Sequence, residues 1–381
     1  MRILCITDKQ YNEEETAIKG IFEKYILQYC EVYSVYFTKE KQAYLQDKKF
    51  VFPYSTKHRK FIKTLMQLNF NLLDFDLIIV RNFYPIAKQL LPFHPKILFW
   101  ETFPHDYRRI YEAKRDKKAI WRKSIEYKIK YYLHAKILEK CAGYITMTPQ
   151  LQSQFQPQLK IPIHIIPSGI DFENCDLNAI QQNLQNIHTP LKFLYIGTID
   201  KNRQILEIIT SISHTKGDFI LDIFTPSNNK ETQAIAQLSQ KDSRIKLYPP
   251  LSFTEMLKTI PNYDIGLGII PNTPLYSVSS PIKAMEYASN GVIPLINDLP
   301  EYLRLFDENT AFFTTLDSNA ISNTLAQILS TPPTILKAKK QALFKLAKEK
   351  MDYQIIARRT YEFLESILQT KIKEIYVTNH L

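Results

Sequence analysis

Glycine is scarce, with eight in 381 residues. No G-x-G-x-x-G follows an apolar run and no G-x-x-x-x-G-K-[ST] occurs, so the phosphate-cradling loops of dinucleotide oxidoreductases and P-loop enzymes are disfavoured. Cysteine is scarcer still: Cys5, Cys30, Cys141 and Cys175 lie far apart and form no C-x-x-C pair. That spacing suggests neither a zinc cluster nor a disulfide framework and leaves reduced, buried thiols as the expectation. No stretch approaches the roughly 18 consecutive apolar residues of a membrane span. The apolar run that opens the chain is cut by Asp8 and Lys9, too early for a signal-peptide core, so a first strand and cytoplasmic residence are expected. Repeats at solenoid spacing and low-complexity tracts are also missing.

What is present fits an ordinary globular protein: 45% hydrophobic and 23% charged residues over a length that suggests two domains at about 150 residues each. The net charge of +11 is uneven. Met1 to Asp171 holds 28 Lys/Arg against 17 Asp/Glu, whereas Phe172 to Leu381 holds 21 of each. Within the first half, Arg108 to Lys140 carries 12 basic and 4 acidic residues among Tyr111, Trp121, Tyr127, Tyr131 and Tyr132. Such a face suits an anionic membrane surface, which attracts about 1 kcal/mol per nearby basic residue. It equally suits a solvated helix of a lysine-rich chain. No nucleic-acid-binding module surrounds it, so no nucleic acid partner is expected.

Short β-rich runs alternate with helix-length segments, the signature of parallel sheets covered by helices. In the first half the expected strands are Arg2 to Thr7, Val32 to Phe37, Asp76 to Val80, Lys96 to Glu101, Gly143 to Met147 and Ile163 to Pro167, with helices such as Thr16 to Tyr29 and Lys117 to Lys140. In the second they are Lys192 to Gly197, Phe219 to Phe224, Arg244 to Tyr248, Asp264 to Ile269 and Val292 to Ile296. Two α/β domains, 1–171 and 191–352, are expected, joined by an Asn- and Gln-rich linker at 172–190. The remaining 353–381 holds an amphipathic helix that either closes the second domain or crosses back to the first, then a basic tail.

Two stretches could carry chemistry. In Ser279-Ser280-Pro281-Ile282-Lys283-Ala284-Met285-Glu286, Ser280 is a good N-cap, Pro281 suits the first helical position, and Gly291 is a natural stop. The free amides of such a helix start favour an anion, with Glu286 placed to accept hydrogen bonds from sugar hydroxyls. At the strand end Leu194-Tyr195-Ile196-Gly197-Thr198-Ile199-Asp200-Lys201-Asn202-Arg203, the glycine allows a sharp turn. Lys201 and Arg203 then stand at the carboxyl edge of a sheet, where open α/β sheets bind ligands and a guanidinium can grip a phosphate. Taken singly, each stretch also fits a solvated surface. Gly266 and Gly268, inside a strand, suggest a bulge or a close approach by backbone or ligand.

The segment PPLSFTEMLKTIPNYDIGLGIIP, then SSPIKAMEYASNGVIPLIN, together with YIGTIDKNR, IHIIPSGID and GYITMTPQL, resembles the GT-B glycosyltransferases of family 4. The resemblance spans most of the chain and is most specific from Gly143 to Asn297. It implies two facing Rossmann-like domains with a cleft between them, the first holding an acceptor and the second a nucleotide-sugar donor. It places Arg203 on the donor phosphates, Glu286 at the ribose, and Gly197, Thr198, Lys201, Ser279, Ser280, Pro281, Ile282 and Lys283 around the diphosphate. His105 of Thr102-Phe103-Pro104-His105-Asp106 resembles the His that faces the transferred sugar in the family. His105, Arg203 and Glu286 are therefore the expected catalytic residues.

The sequence departs from the family at Val278, where many members have the first Glu of E-x7-E, and at Thr198, where many have Arg. The glycine-rich loop after the first strand is reduced to Lys19-Gly20, and Phe103 stands where a Glu-x-His form would place its His. The implied reaction is sugar transfer from a UDP- or GDP-sugar with retention, without cofactor or metal. The acceptor would be a bacterial cell-envelope glycan or lipid-linked intermediate, reached from the inner face of the membrane through Arg108–Lys140. A nucleotide-sugar epimerase or phosphorylase of the same fold, and a non-catalytic nucleic-acid-binding or scaffold protein using the basic half, are the alternatives.

Overall fold

Runs such as Ile3–Ile6 and Leu77–Val80 are apolar at every position, which only a strand covered on both faces can use. In the computed structural model, which describes residues 1–11, 17–54, 61–67, 70–116 and 120–369, these runs lie fully buried in the middle of a parallel sheet. The chain forms two compact units, Met1–Pro167 with Gln354 onward, and Ser168–Tyr353.

The first unit contains β1 (Arg2–Gln10), β2 (Glu31–Thr38), β3 (Tyr44–Gln46), β4 (Lys49–Pro53), β5 (Leu77–Arg81), β6 (Ile97–Glu101), β7 (Gly143–Thr146) and β8 (Ile163–Ile165). They form one sheet in the order β3-β4-β2-β1-β5-β6-β7-β8, parallel except for the β3–β4 hairpin. The second unit contains β9 (Leu191–Ile196), β10 (Phe219–Phe224), β11 (Ile245–Tyr248), β12 (Ile265–Leu267), β13 (Ile293–Ile296) and β14 (Phe312–Phe313). Their all-parallel order is β11-β10-β9-β12-β13-β14. In each sheet the strand order reverses beside the unit's first strand: β1 lies between β2 and β5, and β9 between β10 and β12. Those reversals open crevices at the carboxyl ends, where ligands bind in doubly wound sheets.

Several expectations change in detail. Tyr44–Gln46 and Lys49–Pro53 are strands the pattern did not show, because their two-residue turn is Asp47-Lys48 rather than a glycine-containing pair. Both residues take left-handed backbone, with φ of 48° and 63°. The segment expected as helix over Thr16 to Tyr29 is a wide π-helix, Ile18–Tyr25, followed by a 3-10 turn, Ile26–Gln28; Thr16 lies outside the described residues. Lys117, where the next expected helix begins, does too; the described helix runs Ile120–Leu138.

Residues 172–190, expected as a linker, instead fold into the second unit, with a helix at Leu177–Gln185 capped by Asp176. Their end is fastened by a fully buried ion pair, Lys340 Nζ to Asp264 Oδ1 at 2.8 Å. Lys340 also donates to the carbonyl of Asn186, and the Asp264 carboxylate accepts from the amides of His188 and Lys192. The terminal helix Tyr353–Gln369 packs on the first unit, where Phe363 touches Gly143 and Lys96 donates to the Leu368 carbonyl.

Gly266 and Gly268 have a packing reason rather than a ligand. A Cβ on Gly266 would meet the Tyr287 ring at 2.3 Å, and one on Gly268 would meet Ile296 at 2.9 Å. All four cysteines are free, and burial raises each thiol, that of Cys30 to about 11. Among the described residues no helix is long and apolar enough to cross a membrane.

Candidate functional site

In the second unit, β9 is followed by Gly197, whose φ of +141° only glycine adopts without strain. A Cβ there would stand 2.5 Å from Lys283 Cε, so the glycine also makes room for that lysine. Lys283 Nζ donates to the Tyr195 hydroxyl at 3.1 Å and lies 4.4 Å from the ring centroid. The same hydroxyl donates to the Thr198 carbonyl at 2.7 Å. Arg203 is held by Asp200, which receives both its guanidinium and, at 2.9 Å, its backbone amide. Burial first, and then the nearby Arg203 charge, bring the Lys283 ammonium down to about 8.

Glu286 sits one turn further along the helix Ile282–Ser289 and is only 8% exposed. Burial raises its carboxyl to about 7, against the opposing pull of Lys283. Among the described residues nothing donates a hydrogen bond to this carboxylate, and its oxygens are not sealed from solvent. The helix begins with Pro281 at the cap position and no side-chain cap, and the helix after Arg203, Ile205–Ser213, begins uncapped as well. Asp176, Asn229, Ser252 and Asp317 cap four other helices of this unit, while Pro300–Leu305 and Pro333–Lys350 also start without a side-chain cap. Two helix starts with open amides, two cations and an unsatisfied carboxylate thus gather at the carboxyl end of β9. That combination offers charge complementarity to a pyrophosphate and an acceptor for hydroxyl groups.

Ser280 does not cap the helix, as its type and position suggested. Its hydroxyl accepts from the Ser168 amide at 3.0 Å, while Ser168 Oγ donates to the Ser280 carbonyl at 2.7 Å. This long-range clamp takes the side chain away from the helix amides and moves the cap to Pro281. Ser279 Oγ donates to the Tyr276 carbonyl. Gly291, at φ +67°, ends the helix, with the Val292 amide returning to the Tyr287 carbonyl. Lys201 is exposed, and no described contact ties it to Arg203 or Lys283.

In the first unit a cavity of about 440 Å³ opens at the carboxyl ends of β1, β5 and β6. Asp8, among the last residues of β1, pairs with the buried Arg81 at the end of β5. Asn82 takes a left-handed φ of 59°, donates to Asp8 and to Thr102 Oγ1, and accepts from the Thr102 amide. A non-glycine residue held there by three hydrogen bonds marks a site whose geometry is enforced.

His105 lines this cavity from the first position of the helix His105–Arg115, with Phe103 edge-on to its ring at 5.5 Å between centroids. The ring meets solvent through the cavity mouth, yet the enclosing walls, more than the Arg81 charge, lower its pKa. Burial favours a neutral Asp106, but hydrogen bonds from His134, at 3.2 Å, and Lys130 hold its pKa below the usual value. His134 in turn stacks on Tyr84, 3.6 Å between centroids. Behind them Glu101 accepts from the Tyr144 hydroxyl at 2.5 Å, and burial raises its pKa.

Asp8, Arg81, Asn82, Lys130 and His134 escaped the sequence reading. The available signal was positional: Arg81-Asn82 directly follows a fully apolar run, and Asp8 follows another after the single residue Thr7, near a carboxyl edge.

No family model and no curated protein matches the sequence. Solved structures do match in fold. A sucrose-phosphate synthase from Thermosynechococcus elongatus superposes with a TM-score of 0.70 at 12% identity, covering 96% of this chain and 99% of its own. A UDP-forming α,α-trehalose-phosphate synthase from Burkholderia vietnamiensis gives 0.67 at 10% identity, with 96% and 99% coverage. The Anabaena protein HepE, solved in complex with UDP and glucose, gives 0.66 at 12% identity, with 96% and 100% coverage. The fold of this chain is that of the GT-B glycosyltransferases.

Proposed function

We propose that the chain is a glycosyltransferase that binds a nucleotide-sugar donor in the second unit and transfers the sugar, with retention, to an acceptor bound by the first. The observation that carries this reading is the grouping of Arg203, Lys283 and an uncapped helix start around Gly197, with Glu286 lacking a hydrogen-bond donor. The nucleotide diphosphate is the leaving group, and the charge that develops on it is stabilised by Arg203, Lys283 and the helix amides. No metal is required for that role, since those groups supply the counter-charge. Glu286 accepts the ribose hydroxyls, and the leaving phosphate draws the proton from the attacking acceptor hydroxyl.

A UDP-sugar is the favoured donor, supported by the UDP and glucose bound to HepE. His105 is placed to orient a hydroxyl in the first-unit cavity, within a frame fixed by Asp8, Arg81 and Asn82. The acceptor is a cell-envelope glycan or lipid-linked intermediate, a reading supported by the basic, aromatic stretch Arg108 to Lys140.

Arg203→Ala and Glu286→Ala are each expected to abolish transfer from a UDP- or GDP-sugar while leaving a cooperative thermal transition. Normal turnover in both variants would overturn the site assignment.

A further inference from the structure

The helix Ile120–Leu138 buries only Ala135 and Leu138. Nine of its residues are exposed: Ile120, Trp121, Arg122, Ile125, Lys128, Ile129, Tyr132, Leu133 and Lys136. Six are large and apolar, three are basic, and none is acidic. From Trp121 through Ile125 and Ile129 to Tyr132 and Leu133 the spacing is three or four residues, which makes one continuous outward stripe. Lys136 folds over the Tyr132 ring at 4.4 Å, so its stem stays on the stripe while its charge reaches outward. The helix's acid, Glu126, is engaged away from this face by Lys123 and Lys130.

We infer that this helix lies in the plane of an anionic bilayer, with Trp121, Ile125, Ile129 and Leu133 entering the acyl boundary and Arg122, Lys128 and Lys136 meeting headgroup phosphates. Nineteen residues give a helix of about 28 Å, long enough to lie along the interface. Charge selects this occupant over a second copy of the chain. A two-fold interface would set three cations against three cations, with Glu139 just past the helix end as the one exposed acid beside them among the described residues of this segment, whereas anionic headgroups complement all three. The surface is independent of donor chemistry, so it stands or falls apart from the transferase reading.

The chain's two tryptophans supply the readout, because Trp121 is 73% exposed while Trp100 is buried at 1%. With vesicles of phosphatidylcholine containing phosphatidylglycerol, the protein is expected to float with the lipid. Its Trp121 emission should shift to the blue and be quenched by brominated acyl chains. Pure phosphatidylcholine should give little of either. Replacing Arg122, Lys128 and Lys136 together by Gln should lower partitioning on the order of 100-fold. Ile125→Ser with Ile129→Ser should lower it about 10-fold or more while the charge is unchanged.

These variants should keep the wild-type melting temperature and nucleotide binding, which separates loss of docking from loss of fold or of the donor site. Indifference of the wild type to anionic lipid, or unquenched Trp121 in the floated protein, would overturn the inference. So would self-association or single-stranded RNA binding that these substitutions abolish in place of vesicle binding.

Discussion

The second unit holds two buried acids with a lysine nearby, Asp264 with the buried Lys340 and Glu286 with the half-buried Lys283, and their surroundings are built in opposite ways. Around Asp264 every charge is answered: Lys340 reaches Asp264, the Asn183 side chain and the Asn186 carbonyl, and Asp264 also accepts from His188 and two backbone amides. Around Glu286 little is answered, since the carboxylate receives no hydrogen bond among the described residues and Lys283 has one hydroxyl partner. A buried charge with a full set of partners fastens chain to chain. One left short of partners has hydrogen-bonding capacity to spare.

That contrast can be broken most forcefully at the satisfied pair. Lys340→Met strands Asp264 in a dry environment and is expected to cost about 3–5 kcal/mol of unfolding free energy, measurable by urea denaturation. A cost near zero would remove the structural role assigned to the pair.

At the unsatisfied pair the sign reverses. Glu286→Gln removes a buried charge and is expected to raise the stability of the ligand-free protein, on the order of 1–3 kcal/mol near neutral pH, while abolishing nucleotide binding. The gain should depend on pH in a defined direction. Between 4.5 and about 7 the folded state holds more protons on Glu286 than the unfolded state does, so the wild type loses stability as pH rises through that window. The advantage of Glu286→Gln should therefore vanish near pH 4.5 and be full above pH 7. Lys283 runs the other way: its folded pKa of about 8 lies below 10.5, so its penalty is full below pH 8 and fades as pH rises to 10.5.

A smaller effect sharpens the same comparison. A bound pyrophosphate favours the charged Lys283 and raises its pKa, so nucleotide binding at pH 8–9 should take up protons. Calorimetry in buffers of different ionisation enthalpy reads this directly. Replacing Gly197 by Ala should displace Lys283 and diminish that uptake, because the new Cβ would occupy the space of the lysine chain.

The sequence displays much of this architecture because several buried strands, β1, β5 and β13 among them, are apolar runs with a polar residue at or soon after their end, and parallel strands bring those ends to one edge. Gly197 and Arg203 stand out as candidates for that reason, and Lys283 and Glu286 stand out by their place in a short helix bounded by Pro281 and Gly291. What stayed hidden depends on distant partners. Ser280 looks like a cap until Ser168, 112 residues away, takes its hydroxyl. Residues 172–190 look like a linker until Lys340 and Asp264 secure them. The outward stripe on Ile120–Leu138 is blurred in the sequence because apolar residues lie on both sides of that helix; Tyr127 and Tyr131, which helped to draw attention to it, are not among its exposed residues.

Thermal stability with UDP, GDP and ADP tests the account most directly. UDP at about 100 times its dissociation constant should stabilise the wild type by about 2.7 kcal/mol, and should leave Arg203→Ala and Glu286→Gln unmoved. A wild type indifferent to all three nucleotides, or variants stabilised as much as the wild type, would contradict it.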